Sequence, residues 1–298
     1  MVKRTLHFGN PAHLSVQNSQ LIIELKNDER TKHSVPIEDI GMLVLENPQI
    51  TLSVAVLELL MANKAALISC TKNYIPAGMF IPFDAHTEQT RAMQQQVEAS
   101  MPLKKQLWQQ TVQRKIHNQA KVLDALNLNS NRLHYLKENV LSGDTTNCEG
   151  QAAAYYWGQL YGNTFTRSQD REAPNAQLNY GYAILRSVVA RALTASGLHP
   201  SLGIFHRNKY NAFCLADDIM EPYRPYVDWI VIQMLQEESD YTELTKEQKV
   251  TLLALPQMDV KIGKLTRPLF HAVSSTTAGL NRCLKGDLRK IPYPEFNL

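Results

Sequence analysis

The chain has 298 residues, 44% hydrophobic and 20% charged, which fits a globular protein with a substantial core in one large domain or two ordinary ones. A net charge of +3 is too small to announce a nucleic-acid binder, so any such affinity must lie in where Lys and Arg cluster. The longest apolar stretch, 50–69, is broken by Glu58, Asn63 and Lys64, which excludes a transmembrane helix, and the leading MVKRTLHFGN has no apolar signal core, which argues against secretion.

Residues 1–85 alternate as strands do. TLHFGN, AHLSVQNSQLIIEL, HSVPIEDIGMLVLEN and AALISC carry branched and aromatic residues between Asn, Gly, Asp and Pro turns. Among them, 52–63 (LSVAVLELLMAN) has helical spacing, and 75–83 (IPAGMFIPF) reads as a last strand. Beyond Asp84-Ala85-His86 the texture changes. Residues 88–140 are rich in Gln, Lys, Leu and Ala with a 3.6-residue period, which predicts long helices. Further helices are expected over 147–161, over 175–196 with a stop at Gly197 and Pro200, and over about 222–237. Thr245 and Gln248 have capping-box spacing before VTLLAL. A short strand-like stretch, Val260–Leu265, precedes a last helix near 268–284. The fold class is therefore α+β: a β-rich domain, 1–85, then a larger all-α domain, 86–298, which carries the candidate site. Cysteines 70, 148, 214 and 283 have no CxxC spacing and read as reduced thiols of a cytoplasmic protein.

Three separated segments each place a metal-grade side chain among small or polar residues: Glu149 in NCEGQAAAYYW, His206 in LGIFHRNKYN and Glu221 in LADDIMEPYRP. Carboxylate, imidazole and carboxylate make a hard ligand set that suits Mg2+ or Mn2+ and phosphoryl chemistry. Each has a plainer reading. Glu149 follows a helix-start cluster, GDTTN, and an acid there is favoured by the helix dipole alone. A histidine after two apolar residues is often structural, although Arg207 and Lys209 beside it would suit a polyanion. Asp218 and Glu221 are three apart and can share a face, Asp217 and Glu221 have the alternative spacing, and Pro222 and Pro225 put the acids around a helix start. Three like charges so close need a cation or Arg224 to compensate them.

Cations for a DNA track are Arg167, Arg171, Arg186, Arg191, Arg207, Lys209, Arg224, Lys261, Lys264, Arg267, Arg282, Lys285, Arg289 and Lys290, each individually nonspecific. Arg186 and Arg191 lie within an otherwise apolar helix, where each must reach a carboxylate, a carbonyl or a phosphate.

The block NAQLNYGYAILRSVVARALTASGLHPSLGIFHRNKYNAFCLADDIMEPYRPYVD resembles the core of the CRISPR-associated integrase, the larger of the two universal spacer-acquisition proteins, in the form that accompanies type II systems. The upstream GDTTNCEGQAAAYYW resembles that family's first metal-ligand segment, and the resemblance spans essentially the whole chain. Carried over by position, it implies metal ligands at Glu149, His206 and Glu221 and an auxiliary acid at Asp218, with the doubled Asp217-Asp218 leaving either aspartate to face the site. It also implies a metal-dependent DNA endonuclease and integrase that joins the 3′-OH ends of short double-stranded DNA to CRISPR repeat DNA. The implied partners are a second copy of the chain, through residues 1–85, and the smaller adaptation protein in a heterohexamer. Two other readings compete: a catalytically idle nucleic-acid-binding scaffold of the same fold, and an unrelated metal hydrolase of small phosphoesters.

Overall fold

The computed structural model describes residues 3–26, 31–71, 76–82, 86–168, 173–237 and 244–297. The chain divides into two units, Met1–Ala85 and His86–Leu298. In the first, strands β1 (Arg4–Phe8), β2 (Ala12–Gln17), β3 (Gln20–Leu25), β4 (Lys32–Pro36), β5 (Ile40–Leu45) and β6 (Thr51–Leu52) precede helix α1 (Val54–Ala62) and strands β7 (Ala66–Cys70) and β8 (Pro76–Phe80). One sheet has the order β1-β5-β7-β8, the other β4-β3-β2-β6. β5 lies between parallel neighbours. Its run IGMLVL is apolar without alternation, as a strand covered on both faces requires. β2 and β3 close a hairpin through Asn18 (φ 50°) and Ser19 (φ 59°), the doubly left-handed pair that matches strand twist in a two-residue loop. Leu14, Leu21, Ile40, Leu43, Val56 and Leu60 form the core of this unit.

The second unit is predominantly helical. The expected helical region 88–140 is three helices, α2 (Gln89–Glu98), α3 (Met101–Ala125) and α4 (Asn131–Glu138). The first break comes where Ser100 caps α3 and accepts from Leu103 N, with Pro102 in the first turn; the second follows Asn127 at φ 55°. α5 (Cys148–Tyr161) and the 21-residue α6 (Asn175–Ala195) follow, the latter stopped by Gly197 at φ 78°. The acidic segment differs from expectation. It forms a separate helix, α7 (Cys214–Met220), and a 3-10 turn, Glu221–Tyr223, that leads into α8 (Arg224–Glu237). Pro222 and Pro225 stand in the opening positions of the turn and of α8, where a missing N–H costs nothing.

α9 (Lys246–Leu253) starts from the Thr245/Gln248 capping box. Strands β9 (Asp259–Ile262) and β10 (Leu265–Pro268) form a hairpin within this helical unit, and α10 (Leu269–Lys285) closes it. α6 is the hub. It packs on α7, α8, α9 and α10, while α3 lies against α5, α8 and the Glu221 turn. Within α6, Arg186 reaches the carboxylate of Asp217 and Arg191 lies 4.3 Å over the Phe270 ring, so both guanidinium groups are partnered. Among the described residues, no helix is long and apolar enough to cross a membrane, and the four cysteines form no disulfide.

Candidate metal centre

Capping of α5 is done by residues other than Glu149. Asn147, at φ 53°, accepts from Gly150 N, and Asp144 accepts from Cys148 N at 2.8 Å and from Glu149 N at 3.0 Å. The Glu149 side chain is therefore not needed at the helix start and reaches instead to the Lys115 ammonium on α3. Lys115 Nζ also lies 2.6 Å from Glu221 Oε2. Two carboxylates, one from α5 and one from the turn after α7, thus converge on one cation.

Lys115 and Glu221 are both buried. Burial works against the charge on Lys115, but Glu221 and Glu149 outweigh it and raise its pKa. Burial likewise opposes ionisation of Glu221, yet Arg224 and Lys115 hold its carboxyl at about 2. Arg224 Nε donates to Glu221 Oε1 at 2.9 Å while its guanidinium lies 4.5 Å over the Tyr182 ring.

His206 is positioned by Asp218, a fully buried residue of α7. Asp218 Oδ2 accepts from the backbone of Ile204 (2.7 Å) and Phe205 (2.9 Å), and Oδ1 accepts from His206 N (3.2 Å) and lies 2.6 Å from His206 Nδ1. A Cβ on Gly203 would stand 2.3 Å from the His206 carbonyl oxygen and 2.9 Å from Asp218 Oδ2, so this tight wrap requires glycine. Phe205 stacks on Trp108 of α3 at 4.2 Å between ring centroids, and the Trp108 edge meets His206 at 5.7 Å. The bond to Asp218 raises the His206 pKa against the effect of burial, and it leaves Nε2 as the ring nitrogen for a ligand. Asp217 faces elsewhere, accepting from Arg186 and Asn211. Of the two adjacent aspartates, Asp218 is the one that touches His206.

Among the described residues, no three His, Cys, Asp or Glu side chains stand close enough to hold a metal ion as placed. The donor set nevertheless fits one in kind. Glu149 and Glu221 already share a cation, Glu221 Oε2 is buried with no hydrogen bond of proper geometry, and these are hard oxygen ligands. Asp218 and Glu221, though three residues apart, take different partners and do not converge.

The proposed DNA contacts sort into two groups. Arg167 and Arg224 are engaged within the protein: Arg167 bonds Asn175 and Asn179, and both guanidinium groups lie over Tyr182, at 5.3 and 4.5 Å. Arg207 and Lys209 are exposed on the His206 loop, and Lys261 and Lys264 are exposed on the β9–β10 hairpin. Arg171 lies outside the described residues. Lys115 and Trp108 are not among the residues expected from the sequence, and Asp144 is expected only as part of the helix-start cluster GDTTN. Lys115 had a legible signal, because it falls in helical register with the buried Trp108, Val112, Gln119 and Val122.

A β-rich unit is thus followed by a helical unit in which two carboxylates and, through Phe205 and Trp108, a carboxylate-held imidazole are drawn onto α3. The model of the family described as "CRISPR associated protein Cas1" matches residues 7–254. The chain is 41% identical over 264 residues to a CRISPR-associated endonuclease Cas1 of Neisseria meningitidis serogroup C, covering 88% of this chain and 86% of that one. It shares its fold with a casposase bound to integration product (TM-score 0.81, 18% identity, covering 100% of this chain and 95% of that chain). A Cas1 protein from Thermotoga maritima has the same fold (TM-score 0.78, 15% identity, 95% and 98%). The chain belongs to the Cas1 family.

Proposed function

We propose that this protein is a divalent-metal-dependent DNA endonuclease and integrase of CRISPR adaptation, which joins the 3′-OH ends of short double-stranded DNA to CRISPR repeat DNA by phosphodiester transfer. The observation that carries the reading is the convergence of Glu149 and Glu221 on one cation position, together with an imidazole that Asp218 keeps oriented and that feels the charge of Glu221. The name of the Neisseria relative, an endonuclease, supports the nuclease activity, and the fold shared with a casposase bound to integration product supports strand joining. Mg2+ or Mn2+ bound by Glu149, Glu221 and His206 Nε2 would supply Lewis-acid stabilisation of charge on a phosphate oxygen.

The chain's own residues do the rest. Asp218 fixes the ring so that Nε2 presents its lone pair, and Trp108 and Phe205 hold the loop that carries it. Arg224 keeps Glu221 ionised. Arg207 and Lys209 offer charge to the DNA backbone beside the imidazole. Hydrolysis and strand transfer then differ only in whether water or a DNA 3′-OH is the attacking oxygen.

The partners that go with this reading are a second copy of the chain, through residues 1–85, and the smaller adaptation protein. The fold shared with part of a Cas6-RT-Cas1–Cas2 complex (TM-score 0.75, 18% identity, 99% of this chain and 36% of that one) supports the latter. The assembly would work in the cytoplasm, where its DNA is. A second reading, the idle nucleic-acid-binding scaffold, takes support from the ammonium lodged between the carboxylates. One assay separates them: joining of labelled 3′-OH duplex to repeat DNA with Mg2+ or Mn2+, by wild type and by Glu149→Ala and His206→Ala. The proposal expects divalent-dependent joining that both substitutions abolish, whereas the scaffold reading expects DNA binding and no turnover.

A further inference from the structure

We propose that Lys115 is the resident counter-ion of the candidate metal centre, so that a divalent ion enters by exchange with the ammonium and not by addition to an open site. The inference rests on the metal-dependent reading above and concerns a residue to which that reading gives no part.

Lys115 Nζ bonds Glu149 Oε1 and lies 2.6 Å from Glu221 Oε2, and these are the oxygens that a shared ion would use. Lys115 and Glu221 are 7% and 6% exposed, so water can do little to relieve either charge. Without the ammonium, two carboxylates would face each other across that space, with Arg224 bonded only to the far oxygen of Glu221.

An ammonium and a divalent ion cannot both sit on those oxygens, because they would compete for the same lone pairs and repel at contact distance. Lys115 can leave. A four-carbon stem lets the ammonium swing away while its backbone stays fixed in α3. Lys115 is seven residues beyond Trp108, on the same face of that helix, and Trp108 anchors the His206 loop through Phe205. One face of α3 therefore holds the imidazole in place with a ring and holds the carboxylates together with a charge. Lys115 is a positioning residue: it keeps the donors assembled before the ion arrives and sets how tightly the ion must bind to displace it.

The test is Mn2+ binding by the full-length protein, read from the EPR signal of free Mn2+, for wild type, Lys115→Met and a Glu149→Gln control. Wild type should bind an Mn2+ ion that Glu149→Gln weakens. Lys115→Met should bind it at least about tenfold more tightly, because the competing charge is gone, and should melt at a lower temperature in metal-free buffer. Equal or weaker binding by Lys115→Met, with Glu149-dependent binding intact in wild type, overturns the exchange and leaves the metal centre standing. No Glu149-dependent binding in either protein defeats both. A second measurement needs no substitution: reductive methylation of Lys115, followed by peptide mass spectrometry, should increase several-fold when saturating Mn2+ is added. Labelling that is unchanged or reduced by Mn2+ contradicts the displacement.

Discussion

His206 Nδ1 lies 2.6 Å from Asp218 Oδ1, and the same carboxylate accepts the backbone N–H groups of Ile204, Phe205 and His206 itself. Asp218 therefore folds the loop and orients the ring in one arrangement, and the two residues must fail differently when removed. Asp218→Ala strands buried donors and should cost about 3–5 kcal/mol of stability as well as activity. His206→Ala removes a half-exposed ring and should abolish activity at a stability cost of about 1 kcal/mol or less. Thermal melts run beside the joining assay check this, and equal melting temperatures for the two variants would count against it.

Asp144 supplies a second test at a distance from the chemistry. It accepts from the first two N–H groups of α5 and so sets where Glu149 starts. Asp144→Ala should destabilise the protein by roughly 1–2 kcal/mol and lower joining activity with Glu149 still present. Asp144→Asn, which keeps an acceptor, should recover part of both. Activity at wild-type level in Asp144→Ala would show that the cap does not position Glu149.

The three segments that carry Glu149, His206 and Glu221 are legible because each puts its side chain among small or polar residues within a specific block of sequence. The buried β5 and α6 are legible because their apolar runs leave no solvated face. Lys115 escapes notice, although its helical register marks it as buried, because its partners come from α5 and the Glu221 turn, and a Lys among other Lys and Gln residues looks solvated. α7 escapes for a local reason: seven residues bounded by a turn and by Pro222 show too little periodicity to separate from the helix that follows. Which aspartate faces His206 depends on how α7 packs on the 203–206 loop, and spacing alone does not carry that.

Sequence alone groups Arg224 with the DNA contacts, yet its guanidinium is spent on Glu221 and Tyr182. Arg224→Gln should leave the salt dependence of DNA binding unchanged while it weakens catalysis. Lys209→Gln, at an exposed position, should reduce the slope of log K against log salt by about 0.9 for each phosphate that is no longer neutralised. Anisotropy titrations across a salt series measure both. A slope lowered by Arg224→Gln would return that residue to the DNA surface.

Asp228 gives a pH test. It is buried on α8 and accepts from Tyr182 Oη at 2.5 Å and from Tyr156 Oη at 3.1 Å. Burial raises its pKa to about 6, against those hydrogen bonds and the charges of Arg167 and Arg224. With a folded pKa above the unfolded value, the folded state holds the proton more tightly. Its stabilising effect is complete below about pH 4 and is lost as pH rises through about 6. Asp228→Asn cannot titrate there, so its stability relative to wild type should climb by roughly 2–3 kcal/mol between pH 4 and 7. Denaturant melts at a series of pH values read this directly, and a flat difference would show that Asp228 does not titrate in that window.

The most direct test of the metal centre is anomalous diffraction at the manganese edge from crystals of the protein grown with Mn2+. The expected result is a peak bonded to Glu149, Glu221 and His206 Nε2, with the Lys115 ammonium moved off both carboxylates. A peak bound elsewhere, or none while Lys115 stays between Glu149 and Glu221 at saturating Mn2+, would contradict it.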